Sequence, residues 1–173
     1  TVVIFYDQGL ERSQQMFADI NTNSVKPSKS LSILFDKKNR FNALVIDAIK
    51  QAGLNDAIEY ERASPGKQSA KLWGVTGIKK AAEMLLAVND RSISEYSDEE
   101  LGTLTTLLTN WLVLLKTHIP DNFRELIELQ NMEAIIDARE NKVTTHAVFL
   151  HVLATVTRLA LTDFHQAKKV YFD

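Results

Sequence analysis

The sequence of 173 residues contains no cysteine. This excludes a disulfide framework, a thiolate nucleophile, an iron–sulfur cluster and a zinc site built on cysteine, and it is compatible with a reducing cytosol. The sequence also has no long apolar run, because polar residues interrupt its longest near-apolar stretch, residues 147–161. A membrane-spanning helix needs about 20 apolar residues. The N-terminus does not have the pattern of a signal peptide.

What is present is the composition of a globular protein, with 45% apolar and 24% charged residues. This composition argues against disorder, collagen-like repeats and coiled-coil rods. The length is that of one domain or one and a half, enough to bury roughly two-thirds of the unfolded surface. The chain begins on Thr1 without an initiator Met, and we interpret this as a start inside a domain of a larger protein.

The near-neutral net charge of −2 conceals two halves of opposite sign. Residues 1–82 carry 12 Lys and Arg against 8 Asp and Glu, a net charge of +4. Residues 83–173 carry 8 Lys and Arg against 14 Asp and Glu, a net charge of −6. The asymmetry favours an anionic partner for the first half. The alternative to a binding role is that the two halves form solvated surfaces of opposite charge.

The first half has the pattern of mixed helices and strands. The predicted elements are a buried strand at Val2–Tyr6, a helix from Leu10 to Ile20, a short helix Leu31–Phe35 capped by Ser28 or Ser30, a helix Phe41–Gln51 stopped at Gly53, strands at Ala57–Arg62 and Lys71–Trp73, and a helix capped by Thr76 and ending near Val88. Residues 90–96 are predicted to form a linker.

The second half is predicted to be entirely helical. Ser97 and Glu100 have the spacing of a capping box, and leucines at spacings of three and four follow them. The predicted helices run from Ser97 to His118, from Asp121 to Gln130, from Met132 to Glu140, and from Thr144 or Thr145 to about Leu161. The fold class is therefore α+β and predominantly helical, with an α/β unit over residues 1–90 and a helical unit over residues 91–173.

Motifs for catalysis and metal binding are absent from the sequence. It has neither a Gly-x-Ser-x-Gly elbow nor a Walker-type loop. His146 and His151 are five residues apart, which does not place them on one helix face as a metal-binding pair. Gly74 and Gly77 are more typical of a tight turn than of a phosphate cradle. We expect no metal or cofactor.

A basic stretch between residues 21 and 40 is the strongest candidate for binding. Its lysines and arginine can neutralise phosphates, while its Ser and Asn side chains can donate hydrogen bonds to phosphate oxygens or base edges. Asp36 is its one acidic residue between Lys26 and Arg40. The alternative is a solvated loop whose lysines only maintain solubility. Two cations outside this stretch, Arg12 and Lys71, complete the prediction. The predicted DNA-binding residues are Arg12, Asn21, Asn23, Lys26, Ser28, Lys29, Lys37, Lys38, Arg40 and Lys71.

A family resemblance rests on residues 9–31, GLERSQQMFADINTNSVKPSKSL, followed by Leu34-Phe35-Asp36. This stretch resembles the DndB family of DGQHR-domain proteins. A weaker block covers residues 69–72 and runs into residues 77–80. The resemblance is specific over residues 1–45 and moderate to about residue 88. The helical half is assigned to the same family only because it follows these residues in the chain. The Asp-Gly-Gln-His-Arg element itself is absent, and the resemblance would place it before Thr1.

The resemblance implies a transcriptional repressor that binds the double-stranded promoter DNA of a bacterial DNA phosphorothioation gene cluster. It further implies a ParB-like fold and a cytoplasmic, nucleoid-associated protein without a membrane partner. A second hypothesis is a ParB-like nucleotide-dependent or nucleolytic enzyme, with a phosphate pocket formed by Asn21, Ser28 and Lys29, although this part of the chain alone is not expected to be active. A third is a helical module that mediates self-association through the acidic half. The operator sequence and any effector are not predicted.

Overall fold

The computed structural model describes residues 28–36, 38–118, 126, 128 and 131–172, with side chains described as far as residue 162. The predicted strand Val2–Tyr6 and the helix from Leu10 to Ile20 lie outside these residues. The predicted helix 121–130 does too, except for Leu126 and Glu128.

The described residues are mostly helical, as predicted, and include one small sheet. The helices are α1 (Lys29–Phe35), α2 (Arg40–Gln51), α3 (Val75–Leu86), α4 (Asp98–His118), α5 (Met132–Asn141) and α6 (Ala147–Phe172). The strands are β1 (Ile58–Glu59) and β2 (Trp73–Gly74), and short 3₁₀ turns lie at Asn55–Ala57, Ser92–Glu95 and Val143–Thr145. Among these helices, none is both long and apolar enough to cross a lipid bilayer.

The two strands pair in parallel and are shorter than the sequence predicts. Ile58 lies opposite Trp73, and Glu59 lies opposite Gly74. The alternating pattern of residues 57–62 suggested a longer first strand. The Glu59 carboxylate, however, accepts a hydrogen bond from the backbone N–H of Glu61 at 2.9 Å. This local bond competes with ladder pairing, and the strand ends at Glu59.

Local capping explains where α2 and α4 begin. The Asn39 side chain accepts hydrogen bonds from the backbone N–H groups of Phe41 and Asn42, both at 3.0 Å. At α4, the Ser97 backbone N–H donates to the Glu100 carboxylate at 2.7 Å, and the Glu100 N–H donates to Ser97 Oγ at 3.3 Å. The predicted capping box is therefore confirmed. Gly53, at φ 65°, stops α2 as predicted.

The predicted cap of α3 is wrong. Gly74 occupies the N-cap position and offers no side-chain hydrogen bond. Thr76 lies inside the helix, and its hydroxyl donates to the carbonyl oxygen of Ala63 at 2.9 Å. The threonine therefore joins the helix to the preceding loop rather than capping it.

The predicted bounds of the last helix are also wrong. Thr144 and Thr145 lie in a 3₁₀ turn, and α6 begins at Ala147. The Thr145 hydroxyl donates to the Lys142 carbonyl at 2.7 Å, which favours the tight turn over the start of an α-helix. The helix then continues to Phe172, well past Leu161, because no Gly or Pro interrupts this segment.

One continuous hydrophobic core joins the two halves of the chain. Helix α2 packs along α4, and α3 packs along α6. The indole N–H of Trp111 on α4 donates to the hydroxyl of Thr157 on α6 at 3.2 Å. The segment 90–96 is packed as well, since Ile93 is buried. The division into domains at residue 90 stays a prediction, whereas the buried side chains from both sides form a single cluster.

Two glycines allow α3 to lie close to its neighbours. A Cβ on Gly74 would lie 2.1 Å from the carbonyl oxygen of Ala63, which is far inside van der Waals contact. A Cβ on Gly77 would lie 3.1 Å from the Cβ of Ala147 at the start of α6. Close packing therefore explains why both positions are glycine, against the Ala63 backbone at Gly74 and against the Ala147 side chain at Gly77.

Gly74→Ala should therefore destabilise the protein, whereas Gly102→Ala should stabilise it. The alanine at position 74 collides with rigid backbone, and such overpacking costs about 1–3 kcal/mol or more. Gly102 lies on exposed α4 with nothing within 4 Å of a Cβ, so alanine there should add about 0.5–1 kcal/mol through helix propensity. Urea unfolding measures both changes. Equal stabilities of the two variants would contradict the close approach at Gly74.

Candidate nucleic-acid interface

The basic stretch begins on α1, whose position is fixed by two serines. Ser28 caps the helix by accepting the Leu31 N–H at 3.2 Å, and its own hydroxyl donates to the Glu61 carbonyl at 2.8 Å. Ser30 is buried and donates to the next carbonyl, that of Arg62, at 2.8 Å. Both hydroxyl protons are therefore used within the protein. The predicted DNA-binding residue Ser28 has a structural role, and a serine hydroxyl has no second proton to donate to a phosphate.

Arg40, also in the predicted set, connects the two halves of the chain. Its guanidinium donates to the Tyr96 carbonyl at 2.8 Å and to the Asp98 carboxylate at 2.6 Å. Asp98 is the first residue of α4. The contact pairs Arg40 with an exposed carboxylate and connects the start of the acidic helical half to α2.

Lys71 lies apart from the basic stretch in sequence, and its ammonium donates to the Asp56 carbonyl at 2.7 Å. The contact joins the segment before β2 to the 3₁₀ turn before β1. Lys71 thus supports the parallel strand pair.

Lys29 and Lys38 are different, because both are exposed and neither has a hydrogen-bond or ion-pair partner among the residues that the structure describes. Lys29 is the first residue of α1, and Lys38 follows the end of that helix. The Lys38 backbone N–H donates to the Asp36 carboxylate at 3.2 Å, which fixes the turn but leaves the lysine side chain free to bind. The other predicted residues, Arg12, Asn21, Asn23, Lys26 and Lys37, lie outside the described residues.

A second group of charges beside α1 is already neutralised. The Lys79 ammonium donates to both oxygens of Asp90 at 2.7 Å and to the side-chain oxygen of buried Asn42 at 2.8 Å. It also lies 5.7 Å from the centre of the Phe41 ring, a cation–π contact. This network holds α3 against α2 and leaves no free cation of its own.

The histidines form no metal site in the described ranges, where no cluster of three or more His, Asp or Glu side chains is positioned to hold an ion. His151 Nε2 lies 3.3 Å from the carbonyl oxygen of Gly77, and His118 Nδ1 lies 2.6 Å from the hydroxyl of Thr117.

The sequence matches the family model described as DndB, DNA-sulfur modification-associated, over residues 1–170. The chain belongs to the DndB family. No curated protein and no solved structure matches it. The family description associates this DndB-family chain with DNA sulfur modification, in agreement with the resemblance of residues 9–36.

One surface feature of this DndB-family chain was not predicted from the sequence. Lys67, Arg139, His146 and His151 line a groove whose lining contains neither Lys29 nor Lys38. These residues come from segments about 70 positions apart, so no local motif contains them. The glycines at 74 and 77 were a partial signal, because both lie in the wall of this groove.

The Lys79–Asp90 pair predicts a pH dependence of stability. Partial burial acts to raise the pKa of Asp90, but hydrogen bonds from Lys79 and Asn39 and the charge of Lys79 lower it overall. A carboxylate with a lowered pKa stabilises the fold above its unfolded pKa of about 3.9, and this stabilisation is lost as the pH falls through the folded-state pKa.

Asp90→Asn should therefore lower the free energy of unfolding at neutral pH, and the difference from wild type should shrink below about pH 4. Chemical denaturation over a pH series measures it. Asp47→Asn is the matched control, since Asp47 is an exposed carboxylate on α2 without an ion pair in the described part of the chain. A difference for Asp90→Asn that persists unchanged below pH 3 would contradict the pair's contribution.

Proposed function

We propose that this protein is a DNA-binding regulator that represses a bacterial DNA phosphorothioate modification gene cluster by binding its promoter. Membership of the DndB family supports an association with DNA sulfur modification. The step from that association to promoter binding is supported by the charge distribution, because the first half carries a net charge of +4 and the second half a net charge of −6. A polyanion is attracted by the first half and repelled by the second.

The proposal rests on two exposed lysines. Lys29 is the first residue of α1, and Lys38 lies three residues after its last residue. Their ammonium groups have no partners in the described part of the chain, so binding a phosphate breaks no ion pair there. The helix that carries Lys29 is held by the bonds from Ser28 and Ser30 to residues 61 and 62. A cation on a fixed element neutralises a phosphate with little further ordering of the backbone.

The two lysines are proposed to contact the phosphate backbone, and Arg40 is proposed to orient the helical half rather than to touch DNA. Such contacts fix the position of a protein on the duplex without reading its sequence. Asn21, Asn23, Lys26 and Lys37 belong to the same basic stretch, and together with Arg12 they are proposed to extend the contact.

The double variant Lys29→Gln, Lys38→Gln should weaken binding to the promoter duplex and flatten its salt dependence. Each lysine that neutralises a phosphate contributes about 0.9 to the slope of log K against log salt concentration. Mobility-shift titrations at rising salt measure both effects. Lys116→Gln, on α4 in the acidic half, removes the same charge outside the proposed interface and should change neither. Wild-type affinity and slope in the double variant would overturn the assignment of these two lysines.

We also propose that the regulator self-associates through α6. Four aliphatic side chains lie on one exposed stripe of this helix, Val148, Val152, Val156 and Leu159, each more than half exposed. Their spacing of four, four and three residues keeps them on the same face. A contiguous exposed apolar stripe is typical of an interaction surface, and a second copy of the same helix offers a matching one.

Val152→Asp should abolish concentration-dependent association, because it places a charge in the middle of this stripe. Sedimentation velocity at several protein concentrations measures the association. Val143→Asp is the control, since Val143 is similarly exposed but lies in the turn before α6. A wild-type protein that sediments as a monomer at every concentration would refute the proposal.

A further inference from the structure

A groove of about 520 Å³ lies where four segments of the chain meet. Its walls are the loop at residues 63–67, the start of α3, the end of α5 and the start of α6. The volume falls in the range of about 300–1,000 Å³ that is typical of small-molecule sites. The absence of a side chain at Gly74 and Gly77 lets these walls lie close together, against the Ala63 backbone and the Ala147 side chain.

The ionisable side chains that line the groove are mostly basic. Lys67, Arg139, His146 and His151 come from three different segments, and Glu140 is the one acidic residue that the described part of the chain contributes to the lining. Lys67 and His146 are exposed, and neither side chain has a hydrogen-bond or ion-pair partner among the described residues. Two donors of the groove are therefore available to a ligand.

Arg139 is held in a fixed orientation at the groove. Its guanidinium donates to the Lys67 carbonyl at 2.6 Å and to the Lys71 carbonyl at 3.2 Å. Partial burial lowers the pKa of Arg139 and the charge of Glu140 raises it, but an arginine stays protonated in either case. These two bonds use two of its five N–H groups and leave a positioned cation with donors to spare.

The groove also has an apolar part, formed by Pro65, Leu72 and Trp73. Trp73 and Leu72 are 2% exposed and belong to the core. A cationic rim beside an apolar wall suits a ligand with an anionic group attached to a flat or apolar body. Several donors converging from different segments match the oxygens of a phosphate better than the two oxygens of a carboxylate.

We propose that this groove binds a small phosphate-bearing molecule through Lys67, Arg139 and His146. Neither Lys29 nor Lys38 lines the groove, and the proposal does not rest on the DNA contacts proposed for them. A phosphate could come from a free phosphomonoester or from the DNA backbone, and a volume in the range of small-molecule sites favours the phosphomonoester.

Calorimetric titration of the full chain with AMP and with inorganic phosphate tests the proposal, and adenosine serves as the ligand control without a phosphate. AMP should bind, and adenosine should bind more weakly or not at all. The double variant Lys67→Gln, His146→Gln should raise the Kd for AMP by about tenfold or more, since a hydrogen bond to a charged group contributes about 1.5–3 kcal/mol. Lys50→Gln, an exposed lysine on α2 outside the groove, is the matched control and should leave the Kd unchanged.

Arg139→Lys separates the geometry of the guanidinium from its charge, and it should weaken AMP binding although the charge is kept. The Lys67→Gln, His146→Gln double variant and the Lys50→Gln control change only exposed side chains. Both should retain the wild-type melting temperature, so a loss of binding in the double variant is not a loss of folding. Binding of neither AMP nor inorganic phosphate, or equal affinity for AMP and adenosine, would overturn the proposal. A groove variant that loses duplex DNA binding while keeping AMP binding would show that the groove contacts the DNA backbone instead, which also overturns it.

Discussion

The close approach of Gly74 to the Ala63 carbonyl is the constraint on which the rest of the structure depends. Gly74 ends β2 and also occupies the N-cap of α3. The direction in which α3 leaves the sheet is therefore set where the backbone of the preceding loop touches it. Helix α3 supplies one wall of the core, packs along α6, and carries Lys79 toward α2. A side chain at position 74 would push the loop at Ala63 away from α3. The packing of α3 along α6 and the contact of Lys79 with α2 both depend on the close approach of Gly74 to that loop.

The sequence predicted the amphipathic helices well because their determinants are local. The stripe on α2 and the capping box at Ser97 are contained within a few residues, and both gave bounds within one residue of those observed. Thr76 and the start of α6 were wrong for the opposite reason. Thr76 donates to a carbonyl 13 residues earlier, and Thr145 donates within a 3₁₀ turn. Each serine or threonine suits a cap equally well by composition, and only the surrounding fold decides which carbonyl it meets.

The sequence could not predict which of the basic side chains are already paired, because charge patterns do not show the partners that the fold supplies. Arg40, Lys71 and Lys29 look alike in the sequence. In the structure, Arg40 contacts the start of α4, Lys71 contacts a backbone carbonyl, and Lys29 has no partner among the described residues. The basic groove was not predicted at all, since Lys67 and Arg139 meet through a hydrogen bond that spans 72 positions of the chain. Sequence periodicity carries no information about contacts of that range.

The bonds from α1 to residues 61 and 62 have a thermodynamic consequence. The same short segment runs directly into residues 63–67, which form one wall of the basic groove. Helix α1, with Lys29 on it, and this wall are therefore joined by two hydrogen bonds and one or two peptide units. The proposed ligand of the groove and the proposed polyanion at Lys29 would therefore bind to two parts of one connected unit. If one of them changes the affinity for the other, linkage requires the same factor in the opposite direction.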